Sequence, residues 1–148
     1  MAALKKLTNR KVIVLDTISD PAWNADFITD DPDLFLKVFW ASEHCIVVVD
    51  ESGDSIGKYN EVMNQIATRG RHWGHKVFFI CQRAGMISKT IRAQCSELVL
   101  FKSHIDDTKE LARVFCNKQI NEAENLNHGE YIYIRHNQPV VKSNVFSN

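Results

Sequence analysis

The stretch Ile46–Glu61, IVVVDESGDSIGKYNE, contains two signals for phosphate chemistry that compete for one place in the chain. Its first part is an apolar run that ends in Asp50 and Glu51. Its second part, Gly53–Tyr59, has two glycines followed by Lys58 and could form a glycine-rich phosphate-binding loop. The choice between these two interpretations decides the fold and the chemistry that the sequence predicts.

The glycine-loop interpretation departs from the pattern that phosphate binding requires. A phosphate loop reads G-x-x-x-x-G-K-[ST]: successive backbone N–H groups surround a phosphate, and the hydroxyl ligates Mg²⁺. Here only three residues separate Gly53 from Gly57, and Tyr59 stands at the hydroxyl position. The shorter loop alters the ring of amides, and a tyrosine does not reach the same metal position. We therefore favour a loop that leads into a helix, with Lys58 solvated, and keep the phosphate loop as the weaker alternative.

The composition is that of an ordinary globular protein. Of 148 residues, 45% are hydrophobic and 24% charged, and the formal net charge is zero. The length predicts a single domain with a substantial core. Neutrality argues against a highly basic nucleic-acid coat but allows a local basic patch. The sequence has no apolar run near the ~20 residues of a membrane span and no signal-peptide pattern, so we expect a cytoplasmic protein.

Apolar runs alternate with amphipathic segments, which predicts alternating strands and helices. Strands are predicted at 11–16, 45–50, 76–82 and 97–102, and we expect the first three to be buried. Helices are predicted at 33–42 (starting at Asp31-Pro32), 56–69, 87–94 and 106–116, with a final hairpin of 130–135 and 140–145. Continuously apolar strands indicate an α/β fold, with a mainly parallel sheet covered by helices on both faces.

The acidic pair at the end of the second strand is the favoured source of chemistry. The carboxyl edge of a parallel sheet is where open α/β folds bind ligands. There Asp50 would hold Mg²⁺ through a water, and Glu51 would polarise the water that attacks a γ-phosphate. Acidic strand ends also serve plain turns, so a second signal is needed.

The next strand supplies that second signal. Residues 76–81 run into Gln82-Arg83, so neighbouring parallel strands would place Gln82 beside Asp50 and Glu51. A neutral amide there can hydrogen-bond both the attacking water and a phosphate oxygen. The combination of two acids and an amide is more specific than either feature alone.

Two blocks of sequence carry a resemblance to a known family. VVVDES and TRGRHWGHKVFFICQRAGMISKTIRAQCSELVLFK resemble the core of FtsK/HerA-type DNA-pumping ATPases. Within that superfamily they are most similar to viral genome-packaging ATPases and zonula occludens toxin-like phage assembly ATPases. The resemblance spans roughly residues 11–115, and 69–92 is its most specific part. The matching positions are Asp50, Glu51, Arg69, Arg71, His72, Gly74, Gln82, Arg83, Ile87, Ile91 and Arg92.

The resemblance implies a RecA-like (ASCE) P-loop NTPase core that uses ATP and Mg²⁺. It implies that Asp50 and Glu51 are the Walker B pair and that Gln82 is the γ-phosphate sensor. It makes Arg69 or Arg71 a candidate arginine finger that acts on the neighbouring subunit of a homo-oligomeric ring.

The basic residues of the same block are candidate contacts to nucleic acid, with double-stranded DNA as the possible partner. The alternative for the turn is a solvated polar surface, and Arg92 could equally be a structural ion-pair partner. A viral protein of this kind would lie in the host cytoplasm or with the virion. The candidate nucleic-acid residues are Arg71, His72, Lys76, Arg83, Lys89 and Arg92.

The sequence departs from the family in one large respect. The family has a phosphate-loop strand and helix before the strand that matches residues 11–16, and Ala2–Leu7 can be only the tail of that helix. That strand lies between the sensor strand and the strand after it. We therefore expect a truncated ATPase, a relative that closes its sheet differently and has lost hydrolysis, or a partner chain that completes the sheet.

Three functions follow as hypotheses. The first is an ATPase subunit of a DNA-translocating, genome-packaging motor. The second is a catalytically inactive relative that acts as a structural or regulatory subunit of a viral assembly complex. The third is a small Mg-binding α/β module, response-regulator-like or toprim-like, that uses Asp16 with Asp50. This third hypothesis leaves the 69–92 block unexplained.

Overall fold

The structure, a computed structural model, describes residues 9–18, 20, 22–51 and 60–146. The Gly53–Tyr59 segment, the predicted helix start at 56–59 and Ala2–Leu7 lie outside the described residues, so the predictions about them remain predictions. The chain divides into two compact units, residues 1–82 and 83–148, which are described separately. The single-domain expectation likewise remains a prediction.

The first unit contains a four-stranded parallel sheet flanked by helices, which confirms the predicted α/β class. The strand order is β2-β1-β3-β4, and every neighbouring pair is parallel. The strands are β1 (Val12–Asp16), β2 (Phe27–Thr29), β3 (Ile46–Glu51) and β4 (Lys76–Cys81). The helices are α1 (Pro32–Ala41) and α2 (Asn60–Arg69).

The core of this unit lies along β1 and β3. The apolar residues of both strands are at most 5% exposed, as their unbroken apolar sequences predict. One face of the sheet joins Val12, Val14, Ile46 and Val48 in a cluster, with Trp23 packed against it. The prediction of β4 as a buried strand is wrong, because its residues are only half-buried at the end of the sheet.

Helix α1 begins where the Asp31-Pro32 pair predicts. The Asp31 carboxylate accepts hydrogen bonds from the backbone N–H groups of Asp33 (2.9 Å) and Leu34 (3.2 Å). Proline at the first helical position adds a favourable fixed φ. Phe35 and Phe39 are fully buried, so the helix packs its aromatic face into the core.

The turn between α2 and β4 is fixed by close packing. A Cβ on Gly70 would lie 2.9 Å from Cζ of Phe39, and a Cβ on Gly74 (φ 70°) would collide with the His44 imidazole. His75 accepts from the backbone N–H of Cys45 through Nδ1 (3.1 Å), and its Nε2 lies 3.2 Å from the Phe39 carbonyl oxygen. These contacts connect α1, β3 and β4 at the amino end of the sheet.

The second unit is an antiparallel sheet packed on helices. Its strand order is β5-β6-β7, and the apolar cluster contains Leu111, Phe115, Ile120, Ile132 and Ile134. The predicted final hairpin is confirmed as β6 and β7. None of the helices in the described ranges has the length and apolarity of a membrane span. The elements are α3 (Lys89–Gln94), β5 (Glu97–Phe101), α4 (Ile105–Val114), a 3-10 helix (Lys118–Asn125), β6 (Glu130–Arg135) and β7 (Val141–Asn144).

Candidate functional site

The candidate site lies at the carboxyl edge of β3 and β4. Asp50 and Glu51 pair in parallel register with Ile80 and Cys81, so Gln82 directly follows the partner of Glu51. The Gln82 side chain is exposed, whereas the Glu51 side chain lies outside the described part of the structure. The backbone thus brings the three positions to one edge of the sheet.

Asp50 has the electrostatic character of a functional carboxylate. Its side chain is half-buried, and none of the described residues donates a hydrogen bond to it or forms an ion pair with it. Burial raises the pKa of Asp50 from its ordinary value of 3.8, and the nearby carboxylates of Asp16 and Asp20 raise it further. An unneutralised carboxylate in an acidic environment is a favourable place for a cation.

Asp16 sits beside Asp50 but organises a loop. The two residues pair across β1 and β3, and Asp16 is only 1% exposed. Its Oδ1 accepts from the backbone N–H of Ile18 (2.8 Å) and its Oδ2 from that of Asp20 (2.7 Å). This arrangement ties down the chain after β1 and brings Asp20 close enough to affect Asp50, an effect that the sequence pattern did not reveal.

The donor set at this edge fits one type of metal site only. Among the described residues, no group of three or more His, Cys, Asp or Glu could hold a metal ion. Mg²⁺, however, usually keeps several waters and uses one or two carboxylates together with substrate phosphates. Asp50 fits that role. A Mg-binding module would instead need a cluster of acidic ligands from the protein alone, and Asp16 and Asp50 do not form such a cluster.

The candidate finger residues lie at the opposite edge of the sheet. Arg69 ends α2, Arg71 and His72 lie in a short 3-10 helix (Gly70–Trp73), and Lys76 begins β4. All four side chains are exposed. The length of β4 separates Lys76 from Gln82 by roughly 20 Å. Neither arginine can therefore reach the Asp50 edge of its own chain.

Sequence reasoning missed two residues at this amino edge. His75 is buried and, with burial as the main cause, its pKa lies below the ordinary 6.5, so it is a neutral structural residue. Arg10 donates a hydrogen bond from Nη1 to the Gly74 carbonyl (3.2 Å) and adds a further cation. Only their position in the folded sheet reveals either role.

The basic candidates of the second unit differ in environment. Lys89 is exposed, and Arg83 is 57% exposed although its Nε lies 3.0 Å from Oδ2 of Asp107. The prediction that Arg92 contacts nucleic acid is wrong, because its side chain is only 7% exposed. Arg92 donates to the Ala84 carbonyl (2.8 Å) and pairs with Glu110 (2.9 Å), so it is the structural ion-pair partner that was the alternative.

The parallel β2-β1-β3-β4 sheet with flanking helices defines an α/β protein. Neither a protein-family model nor a curated protein sequence matches the chain. Among solved structures, the chain is similar to the genome packaging NTPase B204 from Sulfolobus turreted icosahedral virus 2. In complex with sulfate, that protein gives a TM-score of 0.75 at 14% identity, over 100% of this chain and 88% of that chain.

Two further structures show the same likeness. The AMPPCP complex of B204 gives a TM-score of 0.74 at 14% identity, over 95% of this chain and 85% of that chain. The cytoplasmic domain of the Thermomonospora curvata type VII secretion ATPase EccC gives 0.54 at 18% identity, over 68% of this chain and 12% of that chain. At these identities the likeness concerns the fold, and it confirms the resemblance to FtsK/HerA-type packaging ATPases at that level.

Proposed function

We propose that the chain is an ATPase-type subunit of a DNA-translocating, genome-packaging motor. The observation that carries this proposal is the carboxyl edge of β3 and β4. There a half-buried Asp50 carboxylate without a partner among the described residues adjoins Glu51, and Gln82 follows on the neighbouring strand. The fold supports the proposal, since the similar B204 is a genome packaging NTPase that was solved with AMPPCP and with ATP-gammaS.

Each residue of this edge has a distinct role in the proposal. Asp50 would hold Mg²⁺ through a water, and Mg²⁺ bound there would supply charge neutralisation for the phosphates of ATP. Glu51 orients and polarises the attacking water. Gln82 donates from its amide to a γ-phosphate oxygen and accepts from the same water. Asp16 acts indirectly, because its loop contacts and its charge keep the edge acidic.

Binding of the β- and γ-phosphates also needs a phosphate loop. The G-x-x-x-x-G-K-[ST] pattern of such a loop does not occur in the 148 residues of the sequence. In the described residues β4 ends the first sheet and has one free backbone edge. We infer that a strand and loop from outside these 148 residues, on this polypeptide or on a partner chain, complete the site. Such a strand would satisfy the free hydrogen-bonding groups.

The position of the basic turn supports a role in trans. Because Arg69 and Arg71 lie at the end of β4 opposite the Asp50 edge of their own chain, a finger role requires the site of a neighbouring subunit, as in a homo-oligomeric ring. The exposed cations Arg71, His72, Lys76, Arg83 and Lys89 are proposed to contact the phosphate backbone of duplex DNA.

Measurement of ATP turnover tests the proposal. With the strand and loop that complete the site present, we expect ATP hydrolysis that requires Mg²⁺ and increases with duplex DNA. Glu51→Gln should reduce turnover at least ~100-fold while nucleotide binding remains, because it removes the group that activates water. Glu43→Gln, an exposed carboxylate before β3, is the matched control and should leave turnover unchanged. Equal turnover of wild type and Glu51→Gln would refute the assigned role.

A catalytically inactive structural or regulatory subunit is the second candidate. The observation in its favour is the missing phosphate-loop pattern in the printed sequence. A folded wild-type protein without Mg-dependent turnover, even with DNA and with the strand and loop that complete the site present, would support this candidate over the motor subunit.

A further inference from the structure

The acidic segment between β1 and α1 takes no part in the proposed chemistry beyond Asp16 and Asp20. Residues 12–36 contain six aspartates and no lysine, arginine or histidine. Asp30 and Asp33 are exposed, and Ile28 (41%) and Leu34 (42%) expose apolar surface beside them in sequence. We call Ile28, Asp30, Asp33 and Leu34 the acidic surface. It includes the terminal strand β2 of the first sheet.

The second unit carries a surface of opposite charge. Lys109 and Arg113, one turn apart on α4, and Lys118 line a depression of about 520 Å³, together with the smaller side chains of Ala112 and Cys116. We call these five residues the basic depression. Its three cations are exposed, and among the described residues none of them forms an ion pair.

The acids of α4 do not neutralise these cations. Asp107 and Glu110 pair instead with Arg83 and Arg92 respectively, and Asp106 lies beside His104. The positive charge of Lys109, Arg113 and Lys118 therefore remains available to a partner. A surface with three cations and apolar neighbours suits a partner that presents carboxylates and apolar side chains together.

We propose that the acidic surface of one copy of this chain docks on the basic depression of a second copy. The contact is heterologous, since each copy contributes a different surface, and such contacts generate rings when the rotation closes. A DNA backbone could satisfy the cations but would leave the acidic surface and its exposed Ile28 and Leu34 without a role. The inference rests on the proposed function only in that copies assemble, and it needs neither nucleotide nor hydrolysis.

Reciprocal charge reversal tests this docking by sedimentation at about 0.1 M salt, where such pairs are only partly screened. Lys109→Glu with Arg113→Glu, and separately Asp30→Lys with Asp33→Lys, should each weaken self-association at least ~10-fold. A mixture of the two variants should recover a 1:1 complex, because the reversed depression then faces the reversed acidic surface. Lys11→Glu with Lys102→Glu reverses two exposed cations elsewhere and should not weaken association.

The opposite results would overturn the docking. They are a wild-type protein that stays monomeric at high concentration, variants that associate like wild type, or a mixture that forms no complex. Loss of duplex DNA binding by Lys109→Glu/Arg113→Glu with unchanged association would assign the depression to DNA instead. If charge reversal unfolds a variant by circular dichroism, Asp30→Asn with Asp33→Asn replaces it. Failed ATP turnover with the completing strand and loop present, together with intact association, would refute the proposed function and leave the docking intact.

Discussion

At the scale of single residues, Asp50 shows how the site differs from the surrounding core. The chain places its carboxylate in a half-buried position beside Asp16 and Asp20 and provides no partner for it among the described residues. That arrangement costs stability, since the charged form is disfavoured in the folded state. Such a cost is common where a carboxylate must bind a ligand.

Asp50→Asn should therefore stabilise the protein at pH 7. In the folded state the pKa of Asp50 lies above 3.8, because the fold favours the neutral carboxyl group. The resulting contribution to the free energy of unfolding is complete below pH 3.8 and is lost as the pH rises through the folded-state pKa. We expect a gain of about 0.5 kcal/mol in the free energy of unfolding at pH 7, a value reduced for solvent screening. Urea unfolding at pH 7 and pH 3.5 checks this. A less stable Asn variant at pH 7 would contradict the assignment.

His75 provides the second prediction at this scale. Burial lowers its pKa below 6.5, so the unfolded chain binds the proton more readily. The contribution of neutral His75 to the free energy of unfolding is complete above pH 6.5. It is lost as the pH falls from 6.5 through the lower pKa that His75 has in the folded state. Unfolding at pH 7.5 and 5.5 should show this loss in wild type but not in His75→Phe. His72 is exposed, so the control variant His72→Phe should lose stability at pH 5.5 as the wild type does. A His75→Phe variant with the pH profile of the wild type would contradict the prediction.

At the scale of elements, the turn between α2 and β4 depends on two glycines. Gly74→Ala combines a positive φ with a collision against His44, and Gly70→Ala forces Phe39 to move. We expect each to cost about 1–3 kcal/mol in thermal or urea unfolding. Gly85→Ala is the control, because a Cβ there meets nothing within 4 Å, and it should change stability by less than about 0.5 kcal/mol. Equal effects at all three glycines would contradict the packing account.

The sequence predicts the main elements well where periodicity or capping specifies them. β1, β3 and α1 lie within one or two residues of their predicted bounds, because unbroken apolar runs and the Asp31-Pro32 start are local signals. β2 and the Lys118–Asn125 helix were missed. A three-residue strand is too short to show a period, and a 3-10 helix lacks the 3.6-residue pattern.

The sequence was less informative where tertiary contacts decide a residue's role. Arg92 looks like other basic residues of its block, and only its packing against Ala84 and Glu110 shows that it is structural. The pairing of Asp50 with its acidic neighbours likewise depends on strand order. Local pattern predicted the polar strand ends, whereas the raised pKa of Asp50 follows from the fold.

At the scale of the whole molecule, the first sheet ends in β4, which has a free edge among the described residues. In the chain alone we expect outward-facing amides of β4 to exchange hydrogen at least ~10-fold faster than those of β3, which is paired on both sides. Mass spectrometry or NMR of exchange measures this. Protection of β4 equal to that of β3 would contradict a free edge, and slower exchange with a partner present would identify the chain that completes the sheet.

The position of the nucleotide site is the central claim, and paramagnetic NMR with Mn²⁺ and a non-hydrolysable ATP analogue tests it most directly, even when binding is weak. We predict that amide signals of Asp50 and Gln82 broaden, while those of Arg69–Trp73 at the opposite edge remain sharp. Asp50→Asn should abolish the broadening, and Lys58→Ala should leave it unchanged. Loss of the broadening in Lys58→Ala but not in Asp50→Asn would contradict the account and restore the glycine-loop interpretation.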